Sequence, residues 1–531
     1  MHLARWDWLI IAAYAAAVIT IGLRAGRRQH TSEEYFLAGR KLRWPFIGAS
    51  IYAANISTEH FVGLAGTAYV VGMAIGVYEW IAVFCLVPLI VIFLPLYIRT
   101  RIYTVPEFLG RRFDPGVRLL FSGFMLALAI VAKIAISLWA AAIVFSDVLG
   151  WDRLTVIWVV GLVTALYTMK GGLGAVVYTD AIQTVVLLAA AIALTTIGLY
   201  HVGGFSGLQA KVDPVMFSMV RPATDQNLPW PGVFIGVFLV GTFYFSMDQV
   251  LVQRVFAAKN LNEGRLGAVF CAFLKTLNPL LIVLPGLIAK ALYPRLDRAD
   301  DAYPMLLEHL MPVGLLGLTI AGLTAALMGH LSATYNSVAT LVTRDFYLKI
   351  HPAATQERQI LVGRVAVLVV FVLGAVWAPI IGGYRSLFIY LQNVQAYLMM
   401  PFALIFIFAV FWRRINAPGA LVCMVAAFIL CPVMMYNNQL RPEEQWFQFL
   451  NRPLLTPWLH RAMIVSAFCV VLLVAVSLLT ARPSEEKLVG TTVRGLWTAP
   501  PDQPPVPRLK DYRLWLAIVC AATALMWYRM R

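Results

Sequence analysis

Residues 53–61 read Ala-Ala-Asn-Ile-Ser-Thr-Glu-His-Phe, a polar and charged interruption inside an apolar stretch running from Pro45 to Gly72. The hydrocarbon core of a membrane gives backbone groups no water to bond. A spanning helix can therefore break only where protein or a water-filled cavity surrounds the break. An interruption carrying Asn55, Ser57, Glu59 and His60 at that depth predicts a binding site. The plainer alternative is a polar helix end at the headgroups. It fits poorly, because roughly ten apolar residues lie on each side of the break.

Composition supports membrane depth. The 531 residues are 61% hydrophobic and 13% charged, whereas a soluble chain is about one-quarter charged. Runs of about 18 or more mostly apolar residues give roughly fourteen spans, the first near 8–23 and the last near 513–528. The expected class is an all-α integral membrane protein. A net charge of +16 would suit nucleic acid, but its placement argues against that partner. With the N-terminus outside, alternate loops gather Arg24, Arg27, Arg28, Arg40, Lys41 and Arg43, then Arg99, Arg101, Arg111 and Arg112, and later Arg413 and Arg414. This follows the positive-inside rule, places both termini outside and points to the plasma (inner) membrane. The first segment does not read as a cleaved signal peptide, since Arg24 to Arg28 follow its apolar run instead of preceding it. Cys85, Cys271, Cys423, Cys431, Cys469 and Cys520 all fall in apolar spans without zinc-ligand spacing, and read as packing residues.

Glu59, His60, Glu79, Lys133, Asp180, Asp248, Lys275, His330 and Gln392 lie within or near spans. A charge at a helix centre costs roughly 2.5–3.5 kcal/mol on insertion scales, so so many groups exceed what a passive bundle needs. Glu59 is expected to pair with Lys133 or Lys275, or to face the rim. A second interruption, Gly241 to Gln249, follows the apolar run Val233 to Val240. Matching interruptions in two halves point to an inverted-repeat transporter with its site between broken helices. The sequence offers no HExxH helix, serine-nucleophile motif or phosphate-cradling loop, so no enzymatic activity and no enzymatic cofactor are expected. A solute sensor is a further alternative. The chain ends at Arg531 just past its last span, which weighs against an appended signalling domain.

The run Ala54 to Gly66 resembles the first broken helix of the sodium/glucose cotransporters, in the sodium:solute symporter family with its LeuT-like fold. Tyr78-Glu79-Trp80, Gly171-Gly172-Leu173 through Asp180 and Gln183, Leu228 to Gly232, Asp248 to Arg254, Phe273-Leu274-Lys275, Asn336-Ser337 with Asp345-Phe346-Tyr347, Tyr390-Leu391-Gln392 and Phe411 to Arg414 are similar to family motifs in order. The resemblance implies a 5+5 inverted repeat with extra helices at both ends. The expected divisions are 1–44 (extra helix and linker), 45–200 (first repeat), 201–228 (external loop), 229–413 (second repeat) and 414–531 (extra helices). It implies a small-molecule solute of the sugar class, bound by Asn55, His60, Glu79, Lys275 and Gln392, with Tyr244 stacking on the ring and closing the inner side. Ala82, Gly241 and Phe245 depart from family patterns, which leaves a polyol or inositol open.

The coupling cation implied is Na+ or H+. Relatives hold sodium at positions matching the carbonyls of Ala53, Ile56 and Ala326 and at two adjacent serines. Those serine positions read Gly329-His330 here. Sodium wants oxygen ligands, which glycine and imidazole do not supply, so the usual site is expected to be altered. His330 could stand in as a tethered cation, with Asp180 as its switching partner and Ser332 matching a second sodium position in some relatives. Proton-coupled or sodium-independent transport is the resulting expectation, and ordinary sodium symport through another site is the alternative.

Overall fold

The computed structural model describes residues 3–25, 31–381, 387–494, 496 and 507–530. Among these residues the secondary structure is helical, apart from two isolated bridges, Leu42 with Ala258 and Arg221 with Pro229. Helix starts are set by short polar caps at the ends of apolar runs. The Thr31 hydroxyl accepts from the Glu34 N–H at 3.1 Å, and the Glu34 carboxylate accepts from the Thr31 N–H at 3.2 Å. Thr104, Asp114, Asp152, Asn260 and Asn416 each accept a first-turn N–H of the helix that follows.

Among the described residues, ten helices are long and apolar enough to cross a membrane. The pair Gly232–Ser246 and Gln249–Phe256, bent by 46°, makes an eleventh. Length and hydropathy thus do not by themselves recover fourteen spans. Part of the shortfall lies in merged helices. Arg153–Val202 has 50 residues, roughly 75 Å at 1.5 Å per residue against a hydrocarbon core of about 30 Å. It is interrupted at Gly172, whose φ of 51° and ψ of −163° suit only glycine.

Leu315–Leu341 is the central helix. Almost all its side chains are buried, and it packs on Arg153–Val202, Arg5–Ala25, Trp44–Asn55 and Gln356–Ile381. Its start is fixed by buried Asp7, which accepts from the N–H groups of Gly314 at 2.8 Å and Gly317 at 2.7 Å. A carboxylate there also meets the positive end of the helix dipole.

Both expected interruptions exist. Trp44–Asn55 stops at Ile56, which is extended at φ −90° and ψ 126°, and helix resumes at Thr58. Phe238–Ser246 stops before Met247 and Asp248, and Gln249–Phe256 follows. The second break therefore lies several residues later than Gly241, which sits inside the helix. Packing explains that glycine, because a Cβ there would stand 2.6 Å from the Cys85 sulfur. The 201–228 loop is also more ordered than its polarity suggests, holding the helix Gly204–Lys211 and the turn Pro214–Phe217.

Candidate solute and ion site

A cavity of about 80 Å³ lies beside the two breaks. Asn55, His60, Glu79, Tyr244, Lys275 and Gln392 all line it. Asn55 comes from the last turn before the first break and His60 from the first turn after it. Tyr244 comes from the last turn before the second break. The variant positions Ala82, Gly241 and Phe245 line the same space, as do His330 and Lys133. A second cavity of about 370 Å³ shares Tyr78 and Gln392 with the first and is bounded by Thr67, Asn227, Asp297, Arg298 and Trp458. Tyr78 and Gln392 thus form the partition between the two spaces.

Two ion pairs organise the walls. Lys275 Nζ donates to Glu79 Oε2 at 2.6 Å, and Asn278 Nδ2 donates to the same oxygen at 2.6 Å. The Tyr52 hydroxyl in turn donates to Asn278 Oδ1 at 2.6 Å. Both charged side chains are almost fully buried, so each needs the other. In the second pair Lys133 donates to Asp248, whose other oxygen caps the helix after the second break by accepting from the Val250 N–H at 2.9 Å. The Lys133 ammonium also sits 5.1 Å over the Tyr244 ring. Glu59 pairs with neither lysine. Both are already engaged, and Glu59 instead accepts from the Ser137 hydroxyl at 3.3 Å.

Asn278 and the Lys133–Asp248 link went unread in the sequence. Asn278 stands three residues after Lys275, on the same helical face, immediately before Pro279. Asp248 had the signature of a helix cap opening an apolar run, but nothing in the linear order named Lys133 as its partner.

Gly329 and His330, two of the residues expected at the ion site, face the end of the helix before the first break. With Ile56 extended, Ala53 and Ala54 lose their usual i+4 donors. His330 Nδ1 bonds the Ala54 carbonyl oxygen at 2.6 Å, so its imidazole occupies part of this region. Gly329 faces Ala53, since a Cβ at Gly329 would lie 3.3 Å from the Ala53 oxygen and 2.9 Å from Gln183 Oε1. The Ser332 hydroxyl donates to the Gly329 carbonyl at 3.1 Å. Ala326 is buried one turn earlier on the same helix. Asp180 is fully buried, but it does not bond His330. Its Oδ2 accepts from the Ser50 hydroxyl at 2.5 Å and faces Arg254 at 4.0 Å. The His330–Asp180 pair expected from sequence is therefore not formed, because Ser50 and Arg254 hold the carboxylate.

Comparison with known proteins agrees with this geometry. The model of the sodium:solute symporter family matches residues 35–427. Sodium/glucose cotransporter 4 of Danio rerio is 35% identical over 528 residues, covering 92% of this chain and 80% of that protein. The sodium/myo-inositol cotransporter of Homo sapiens is 34% identical over 540 residues, covering 92% and 75%. A solved Na+-coupled sialic acid symporter, substrate-bound and outward-open, superposes with a TM-score of 0.78 at 21% identity over 91% of this chain and 99% of its own. The nucleobase-cation-symport-1 transporter MHP1 gives 0.51 at 15% identity, over 87% and 99%. At such identities the two structures show the fold, which is LeuT-like. The similar proteins are transporters and not enzymes. The match across most of the sequence, on a fold with two broken helices around a polar cavity, shows that this integral membrane protein, a secondary transporter, belongs to the sodium:solute symporter family.

Proposed function

We propose that this protein moves a sugar or sugar-like polyol by alternating access, with a coupling-ion site altered at Gly329-His330. The observation that carries the solute reading is the single cavity onto which Asn55, His60, Glu79, Tyr244, Lys275 and Gln392 converge. A sugar presents several hydroxyls and an apolar ring face. It needs a ring of donors and acceptors with one aromatic platform. Glu79 accepts, Lys275 donates, Asn55 and Gln392 do both, and the Tyr244 ring supplies the platform and the inner gate. The names of similar proteins, a glucose and a myo-inositol cotransporter, support this solute class. Ala82, Gly241 and Phe245 reduce the hydroxyl-bonding capacity of the wall, which supports a polyol or inositol beside the hexoses.

The coupling cation is Na+ or H+. In the first reading His330 takes the place of the usual sodium as a tethered cation, and transport is proton-coupled or sodium-independent. The 2.6 Å bond from its ring to the Ala54 carbonyl supports this placement. In the second reading sodium binds an altered arrangement of oxygens. The buried, unpaired Asp180 Oδ1 and Gln183 amide favour that one.

Purified protein in liposomes separates these readings. Uptake of labelled D-glucose and myo-inositol is measured under an imposed sodium gradient and then under a proton gradient. Accumulation driven by protons and lost in His330→Ala is the result for the first reading, and sodium-driven accumulation unchanged in His330→Ala defeats it. Folded protein that moves no sugar or polyol under either gradient defeats the solute assignment. The plasma membrane, with both termini outside, is the proposed setting.

A further inference from the structure

Glu59, Glu79, Lys133 and Lys275 are charged side chains that line the cavity beside the breaks. Lys275 is paired with Glu79, and Lys133 with Asp248. Among the described residues Glu59 makes no ion pair, although it is only 5% exposed. It accepts instead from the Ser137 hydroxyl, a neutral donor 3.3 Å away on a fully buried residue. A carboxylate at the wall of the cavity is thus left without a cation.

The other titratable groups around Glu59 do not pair with it. His60, the next residue, accepts from the Ser57 N–H through Nδ1 at 3.3 Å, which leaves that nitrogen without a proton. His330 of the central helix bonds the Ala54 carbonyl at 2.6 Å. Tyr78 and Tyr244 bring phenols to the same wall. The turn Ala299–Asp301, packed on His60–Leu64, adds the carboxylates Asp300 and Asp301. The helix Ala302–Leu310 packs there too, but its Glu308 and His309 are exposed. An ionised carboxylate buried without a counter-charge is costly, and one bound proton removes that cost. The cavity, about 80 Å³, has room for several water molecules, which gives a proton a route to Glu59 through the space the solute uses. A sodium ion would want a shell of oxygen ligands, whereas a proton needs the carboxylate alone.

We propose that Glu59 carries the coupling proton. Its carboxylate takes one proton from the external solution when the cavity faces outward, holds it as a neutral acid while solute is bound, and releases it to the internal solution. The inference rests on the proton-coupled reading above, in which His330 is a fixed cation, and it names the group whose proton moves. Proton and solute then meet on adjacent residues, Glu59 and His60, in the first turn after the first break.

Infrared difference spectra of the full-length protein in liposomes, between acid and alkaline buffer, read the C=O stretch of a protonated carboxyl without any solute. A titrating carboxyl band is expected in the unmodified protein, absent in Glu59→Gln and displaced in Glu59→Asp. Transport gives the second readout. With the membrane voltage clamped, D-glucose or myo-inositol added outside should acidify the vesicle lumen, and one proton per solute supports about tenfold accumulation per unit of pH gradient. Glu59→Gln keeps an acceptor for Ser137. It should lose acidification and accumulation while still exchanging labelled solute at equal pH, a split that a purely structural Glu59 would not produce. Glu59→Asp should keep the coupling, and it carries the test should the glutamine variant not fold, which melting reports. Spectra that are the same in the unmodified and Glu59→Gln proteins overturn the proposal. Solute-driven acidification that persists in Glu59→Gln overturns it as well; if that acidification is lost in His330→Ala, the proton-coupled reading survives and the role of Glu59 alone falls. Accumulation driven by sodium and indifferent to pH defeats the reading itself. Uptake of D-glucosamine above D-glucose at every pH, abolished in Glu59→Gln, also overturns the proposal, because the carboxylate then answers an ammonium group on the solute.

Discussion

Replacing Lys275 with methionine tests the solute wall most directly. Lys275 Nζ and Glu79 Oε2 stand 2.6 Å apart with both side chains nearly inaccessible. At an effective dielectric constant of about 20, that separation corresponds to roughly 6 kcal/mol of gross attraction, most of it offset by the desolvation of both ions. Lys275→Met keeps the length and apolar character of the stem and leaves Glu79 as a buried, uncompensated charge. The expected cost is about 3–5 kcal/mol of stability. The remaining Asn278 bond to Glu79 Oε2, 2.6 Å long, places the effect toward the lower end. The double variant Glu79→Gln/Lys275→Met removes both charges and should recover at least half of that loss, since a buried pair is strongly destabilised by losing one partner and tolerates losing both. Solute binding should not recover. A lost charged hydrogen bond to a sugar hydroxyl is worth about 1.5–3 kcal/mol, or roughly 10- to 150-fold in affinity. Melting in one detergent gives the stability order, and binding of D-glucose and myo-inositol gives the affinities. A single variant that melts with the unmodified protein, or a double variant that binds solute as tightly as it does, refutes the reasoning.

Three further outcomes follow from the same geometry. Asp248→Asn keeps an oxygen to cap the Val250 N–H but removes the charge facing Lys133, so a stability loss of about 3–5 kcal/mol by melting reports the ion pair and not the cap. Gly241→Ala forces a methyl group to within 2.6 Å of the Cys85 sulfur and should cost about 1–3 kcal/mol; pairing it with Cys85→Ala should return part of that in a double-mutant cycle. Tyr244→Phe should bind solute within a few-fold of the unmodified protein, whereas Tyr244→Ala should lose at least tenfold in equilibrium binding, because the ring face is the proposed platform.

The first break was legible because its signal is local. Asn55 to His60 put polar side chains where a lipid-facing helix cannot keep them, and the backbone opens at Ile56 as a result. The second break was legible, but it falls at the far end of the expected stretch Gly241 to Gln249 and not at its start. Glycine weakens a helix, so Gly241 drew the boundary toward itself, yet its role is to admit Cys85 from a neighbouring helix. The actual stop at Met247 and Asp248 is set by a cap and by Lys133, which lies 115 residues away in sequence. The same distance problem hid the partners of Glu59 and Asp180. Charges at membrane depth announce that they need partners, but which opposite charge each one meets depends on helix packing that no local pattern encodes. Ser50 and Ser137, ordinary hydroxyls in apolar runs, became partners only through that packing.

The polar contacts also divide the broken helices into halves with different attachments. Arg254, in the half after the second break, donates through Nε to the Ser50 hydroxyl at 3.2 Å, in the half before the first break. The Ser50 hydroxyl in turn donates to Asp180 on the helix Arg153–Val202, which Arg254 also faces at 4.0 Å. Backbone bonds from the Leu42 N–H to Ala257 at 3.0 Å, and from the Lys259 N–H to Leu42 at 2.9 Å, lock the same two halves at their far ends. The opposite half of the first broken helix, Ala65–Val71, packs on Leu284–Leu292 and borders the larger cavity. The side held by Arg254 is thus closed in this structure, and the roomier space lies toward Thr67 and Trp458. The Arg254–Ser50 bond and the shared Asp180 tie the two halves together on that side. The Ala53 carbonyl, one turn beyond Ser50, lies on the same half-helix as this contact, beside Gly329.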